Sequence, residues 1–162
     1  MKKRDIILIS SLFLIALLAF LTVWLWPKEA MNKAHVYHDS KVYVTIDFEN
    51  KKLIETQRTD HDLLYSYNES DALYLNYQKP DGHDIIILFG SFLVKGEPSK
   101  VYIEINWASR SVRILHDETP KQIGVNRDWY DGSGLPVISA PSKVYVEFEG
   151  AKHIPDDVDG KV

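Results

Sequence analysis

Twenty-one consecutive residues without a charge, positions 6–26, constrain this chain more than anything else in it. Fourteen of them are Leu, Ile, Val or Phe. As a helix the run spans about 31 Å at about 1.5 Å per residue, which matches a hydrocarbon core of about 30 Å. At about −0.4 kcal/mol per strongly apolar residue, insertion is favoured by about 6 kcal/mol. Ser10, Ser11 and Thr22 leave that balance intact, because each hydroxyl can bond back within the helix. The run therefore predicts a transmembrane helix over 6–26 rather than a buried core helix.

Charge sets the orientation. Lys2, Lys3 and Arg4 immediately precede the run, whereas Lys28 and Lys33 on the far side are diluted by Glu29. The positive-inside rule keeps residues 1–5 in the cytoplasm. Trp24 and Trp26 fall where an aromatic belt at the outer interface would lie, and Pro27 ends the helix because it lacks the N–H to continue it. The competing reading is a cleaved signal peptide. Its apolar region would be shorter, and WLWPKEAMNKA offers neither a clear A-x-A cleavage site nor a cysteine for a lipid anchor. Either way the rest of the chain is exported.

Residues 1–27 hold three basic residues and one acidic residue, so of the 19 basic and 23 acidic residues 16 and 22 remain outside, a net charge of −6. A domain of that sign repels phosphate backbones, which excludes nucleic acid as a partner. The chain has no cysteine, so disulfides and thiolate metal sites are excluded as well. Packing alone must hold the outside domain together.

Residues 27–34 read as a short polar tether, which reaches about 25 Å if extended. After it, apolar residues recur with a period near two, as in half-buried strands. Residues 36–37 and 42–48 form a hairpin about Asp39 and Ser40, and 53–57 a further short strand. Residues 72–78 and 84–89 flank Lys79-Pro80-Asp81-Gly82, whose residue types suit a tight turn, and predict a second hairpin. Residues 101–106 and 111–115 make a third, with Val101, Ile103 and Ile105 facing one way and Trp107 near the tip. Residues 119–143 hold too many Gly and Pro for a long element, although Val137 and Ile138 can pair briefly. Residues 143–149 close the domain, with Val144, Val146 and Phe148 on one buried face. A β domain over 35–150 is expected, followed by a disordered acidic tail, 151–162.

Several stretches together resemble the NusG domain II-like family of membrane-anchored extracytoplasmic proteins. They are the opening MKKRDIILI with its span, the hairpin VYHDSKVYV, and VRILHDETPKQIGVNRDW followed by PVISAPSKVYVEFEG. Pro120, Ile123, Val125, Trp129, Gly134, Pro141 and Lys143 stand in the family's order and spacing. Its usual cysteine positions fall here on Thr119, Gly124 and Ser139, and residues 58–100 read as an insertion. The resemblance implies a mainly β, small barrel or sandwich-like domain outside a Gram-positive-type membrane, without thiol chemistry. It also implies an association with membrane flavin or quinone electron-transfer systems as the alternative role.

No catalytic constellation stands out. His35 and His38, three apart on a strand, point to opposite faces and suit no shared metal. His61 between Asp60 and Asp62, and His83 with Asp81 and Asp84, read as solvated turns. Gly132-Ser133-Gly134 lacks the strand–turn–helix setting of a nucleophile elbow. The expectation is a membrane-tethered module without cofactor, metal or catalysis, held in the bilayer by residues 6–26 and binding an integral membrane protein or envelope component; an exported enzyme is the other alternative. The residues to carry contact are Tyr77, Pro80, Asp81, Trp107, Trp129 and Gly134, from the inserted hairpin and the loops.

Overall fold

The computed structural model describes residues 3–24, 31–56, 64–122 and 124–151. They fall in two compact units, Met1–Ala30 and Met31–Val162. The first unit is a single helix, α1, over Lys3–Trp24, its side chains described from Ser10 to Thr22. Its eight large apolar side chains from Leu12 to Leu21 are 37–69% exposed. Thr22 bonds back onto the Ala19 carbonyl at 2.8 Å, as expected of a hydroxyl in an apolar helix. Among the described residues no helix is long and apolar enough to cross a membrane.

The second unit is mainly β, with nine strands and one short helix among the described residues. The strands are β1 (Lys33–His38), β2 (Lys41–Asp47), β3 (Lys52–Glu55), β4 (Leu64–Ser66), β5 (His83–Val94), β6 (Glu97–Asn106), β7 (Ser111–Asp117), β8 (Val137–Ser139) and β9 (Val144–Phe148). They form two antiparallel sheets, β3-β2-β1-β9-β8 and β4-β5-β6-β7. Of the two architectures expected, this is the sandwich; the described strands close no barrel.

The alternation read from the sequence builds the core. Val36, Val44, Ile46, Val144, Val146 and Phe148 of one sheet meet Ile86, Leu88, Val101, Ile103, Ile105 and Ile114 of the other in one buried cluster. The β1–β2 turn places Asp39 at φ 49° and Ser40 at φ 65°, the paired left-handed conformation that a two-residue hairpin requires.

One expected strand is a helix. Residues 72–78 belong not to a hairpin with 84–89 but to α2 (Glu69–Leu75) and its C-terminal cap. Asn68 accepts from the backbone N–H of Ser70 and Asp71, while Asp71 accepts from the N–H of Asn68, a complete capping box. Asn76, at φ 48°, ends the helix. The apparent alternation of 72–78 misleads because Leu73 and Tyr74 face solvent, at 84% and 62% exposure. The Pro80–Gly82 turn survives, with His83 N–H donating to the Pro80 carbonyl, but it joins a helix to a strand. β5 pairs instead with β4 on one side and, on the other, with β6, with which it forms a long hairpin turning at Lys95 and Gly96.

α2 matters because the β4–β7 sheet is covered on both faces. Ile85, Ile87 and Tyr102, pointing away from the main core, form a second buried cluster with Tyr67, Leu75, Tyr77 and Leu115. Residues 57–63, including the expected His61 cluster, and the tail beyond Ala151 lie outside the described residues.

Val146 is fully buried in the middle of the main core. Val146→Asp, which places an unpaired charge there, is expected to lose at least about 3 kcal/mol in urea unfolding. Val42→Asp, a half-buried position of the neighbouring β2, is expected to lose far less.

Candidate functional site

The hairpin register sets a carboxylate where apolar side chains would be expected. On β6, Val101, Ile103 and Ile105 point into the sandwich, so Tyr102 and Glu104 point out beneath the α2 layer. Glu104 is nonetheless fully buried. Directly across from it on β7 stands Arg113. Arg113 Nε donates to Glu104 Oε2 at 2.7 Å, and Nη2 lies 2.7 Å from the same oxygen. The other oxygen, Oε1, accepts from the Tyr77 hydroxyl at 2.7 Å and from His83 Nδ1 at 2.8 Å. Arg113 Nη2 also donates to the Tyr77 oxygen at 3.2 Å.

Three elements supply these donors. α2 and its cap deliver Tyr77, the Pro80–Gly82 turn delivers His83, and β7 delivers Arg113. The loop after β7 adds a ring and no donor; there Tyr130 and Val112 exchange backbone hydrogen bonds of 2.8 and 2.9 Å in an isolated bridge. Both of these side chains enter the core, so their neighbours Trp129 and Arg113 fall together on the outer face. The guanidinium lies 4.6 Å from the Trp129 ring centroid, and the His83 ring meets that indole edge to face at 5.4 Å.

Burial alone would raise the Glu104 pKa, but the hydrogen bonds from His83, Tyr77 and Arg113 outweigh it and hold the carboxyl below its ordinary value of 4.5. Burial, then the hydrogen bond to Glu104, raises the Tyr77 phenol. Arg113 is raised too: burial opposes its charge, and the bond to Glu104 outweighs that. The carboxylate is thus ionised, neutralised by Arg113 and closed to water. That suits a locked support for Trp129 and Arg113 rather than a proton-transfer group.

The residues singled out from sequence divide accordingly. Tyr77 and Trp129, 52 positions apart, converge on Arg113. Pro80 and Asp81 sit exposed on the turn that leads into His83. Trp107, by contrast, is only 9% exposed, set edge-on against Phe48 in the main core with its indole N–H donating to Asp84 at 2.8 Å. Core packing consumes the ring, so it does not serve as a contact anchor. Gly134 is an exposed loop residue at φ 82° with open space about it, whereas Gly132 of the same loop is also tightly enclosed. At φ 91°, a Cβ there would lie 2.2 Å from Met31 Sδ and 3.0 Å from Phe148 Cβ. Glu104, Arg113 and the buried role of His83 are what sequence reasoning missed. The available signal was two opposite charges at facing outward positions of the 101–106/111–115 hairpin.

At the other end of the sandwich His38 Nε2 lies 3.0 Å from Ser91 Oγ, a nucleophile–base distance. A base of that kind needs a third group to orient it. His38 Nδ1 is buried without a partner, and the nearby Asp39 carboxylate is held by Lys143 at 3.0 Å. The pair is no catalytic triad. A cleft of about 570 Å³ near that end is lined by Tyr74, Phe89, Val94 and His116 together with two lysines and two glutamates, whose formal charges balance. Among the described residues no group of three or more His, Asp or Glu side chains could hold a metal.

Glu104→Gln removes the charge that compensates Arg113 and turns an amide toward donors. It is expected to cost about 3 kcal/mol in urea unfolding at pH 7. Because the folded-state pKa of Glu104 is lowered, its contribution is present above the ordinary value of 4.5 and fades as pH falls through the folded value. The gap between parent and variant should therefore narrow below about pH 4.5.

No protein-family model matches this chain, and no curated protein matches it significantly. Among solved structures, the Lin0431 protein from Listeria innocua is similar at 20% identity, over 72% of this chain and 93% of its own, with a TM-score of 0.41. A likeness that loose informs neither fold nor function.

Proposed function

We propose that this chain is a membrane-tethered, extracytoplasmic interaction module with no catalysis or cofactor of its own, and that it docks an integral membrane protein of the same bilayer. The observation that carries the reading is the convergence on Glu104. A fully buried carboxylate with both oxygens accepting hydrogen bonds is used to hold Trp129 and Arg113 in place beside the exposed Pro80–Gly82 turn. Half-exposed Trp and Arg on a rigid support are the residue types that dominate binding energy at protein interfaces.

The tethering half of the proposal rests on the uncharged run 6–26 and its basic leader. The exposure of eight large apolar side chains on α1 adds support, since lipid is the solvent that such a surface favours.

The reading includes the resemblance to NusG domain II-like proteins. Thr119 and Ser139, two of the positions where that family carries cysteine, bond the same buried carboxylate, Asp117, through the Thr119 N–H and the Ser139 hydroxyl. A Cβ on Gly124, the third, would lie 2.7 Å from the carbonyl of Ile138, next to Ser139. Positions where that family usually carries cysteine lie close together in this fold, which supports the resemblance. Here hydrogen bonds occupy the place.

The test is purification of the full-length protein in mild detergent. A membrane protein should co-elute with the parent, and its yield should fall at least about tenfold with Trp129→Ala while circular dichroism is unchanged. A parent that elutes alone with a stoichiometric flavin or metal would replace this reading by the electron-transfer alternative. Activity of a cytoplasm-only reporter fused after Val162 would refute the topology.

A further inference from the structure

The two sheets are stitched at the end away from Trp129, and the stitch has one flaw. His38, the last residue of β1, reaches across to Ser91 in the irregular stretch of β5 between Phe89 and Leu93. Ser91 N–H also donates to the Ser142 carbonyl at 3.0 Å, and Ser142 Oγ shares a buried 2.8 Å hydrogen bond with Ser99 Oγ. Gly90 lies so close beneath that a Cβ on it would stand 2.3 Å from Ser142 Cβ. The seam therefore has no slack in which one contact could move alone. The flaw is His38 Nδ1, which is buried and has no hydrogen-bond partner.

The groups facing the ring are few. Tyr43 of β2 meets it edge-on at 5.5 Å, and Ser91 of β5 takes Nε2. The charges beside it are Asp39 in the β1–β2 turn and Lys143 before β9, already joined to each other, and Lys41, the exposed register partner of His38 on β2. We propose that His38 is an acid-sensitive latch between the two sheets, which closes on Ser91 when neutral and releases the β5 irregularity when protonated.

In the neutral ring Nε2–H donates to the exposed Ser91 Oγ, and the shielded Nδ1 presents only a lone pair. A proton taken from solvent onto Nδ1 creates a charged donor with no acceptor, and the ring relieves that by turning out to water. Burial lowers the His38 pKa below its ordinary 6.5; Asp39 opposes the shift and Lys143 adds to it. The open form thus binds the proton at higher pH than the closed one. The seam is at full strength above about pH 6.5, weakens as pH falls toward the folded-state value, and weakens no further below it. The latch needs no particular docking partner, so it stands or falls apart from the interaction-module reading.

The test is amide hydrogen exchange of the full-length protein in detergent micelles at pH 7.5 and 5.5, corrected for intrinsic rates. The Ser91 amide should lose roughly tenfold in protection at the lower pH. His38→Gln, whose side-chain amide stands near the place of Nε2 and does not titrate, should keep its protection at both. Ser91→Ala should show at pH 7.5 the exchange of nearby backbone amides that the parent shows only in acid. His116, which burial also lowers, is the competing source, and His116→Gln should leave the response intact. Equal protection of Ser91 at both pH values in the parent, persistence of the loss in His38→Gln, or its disappearance in His116→Gln would each overturn the proposal. A direct NMR titration of the His38 ring covers a variant that fails to fold: a midpoint below 6.5 supports the latch, and one at or above 6.5 overturns it.

Discussion

A carboxylate out of reach of water stays ionised only if it is paired, and Glu104 is paired through both of its oxygens. Its two oxygens take donors from a helix cap, a turn and the facing strand, so three segments distant in sequence are tied to one point. The tie is geometric before it is energetic. Well-packed apolar residues in the same space would often be at least as stable. What they would not do is fix the rotamers of Tyr77 and Arg113, and with them the seat of Trp129. A hydrogen-bonded charge pair has few acceptable arrangements, whereas an apolar contact has many.

That requirement separates the two sheets. The outer face of the β3-β2-β1-β9-β8 sheet carries half-buried polar and aromatic side chains, such as the stacked pair Tyr37 and Tyr145 at 4.5 Å. The outer face of the β4–β7 sheet is roofed by α2 over Ile85, Ile87 and Tyr102. A strand buried on both faces should read as a continuous apolar run, and Ile85 to Leu88 does. On β6 the second face is carried instead by Tyr102 and Glu104, whose polar atoms find partners in the roof. Tyr102 reaches Asp71 of α2 at 3.4 Å, while Glu104 takes Tyr77 and His83.

The sequence is legible where one signal acts alone. Val144, Val146 and Phe148 alternate with nothing to compete, and they are buried as the pattern requires. Asp39 and Ser40 between two apolar runs make a hairpin for the same reason. Residues 72–78 were not legible as helix because two signals conflict there. Their apolar residues mimic period two, but Asn68 and Asp71 at capping-box spacing, followed by good helix formers, were the stronger physical cue. The candidate site was legible in part. Tyr77 and Trp129 stand out as large half-polar aromatics, yet what gathers them is the register that sets Glu104 across from Arg113. Trp107 shows the converse: a tryptophan at a hairpin tip reads as exposed until the Phe48 and Phe148 rings close around that end of the core.

The two ends of the sandwich answer the same problem in opposite ways. At the His83 end a buried ionisable group has all its partners. At the Ser91 end, about 26 Å away along the same strand at about 3.3 Å per residue, a half-buried imidazole has one shielded nitrogen without a partner. Local stability in a small β domain follows such differences more closely than it follows overall packing. A surface that must present Trp129 and Arg113 in one pose gains from sitting at the satisfied end, where opening any one donor exposes a charge. Motion, where the domain needs it, costs least at the other end, where opening gives Nδ1 the water it lacks.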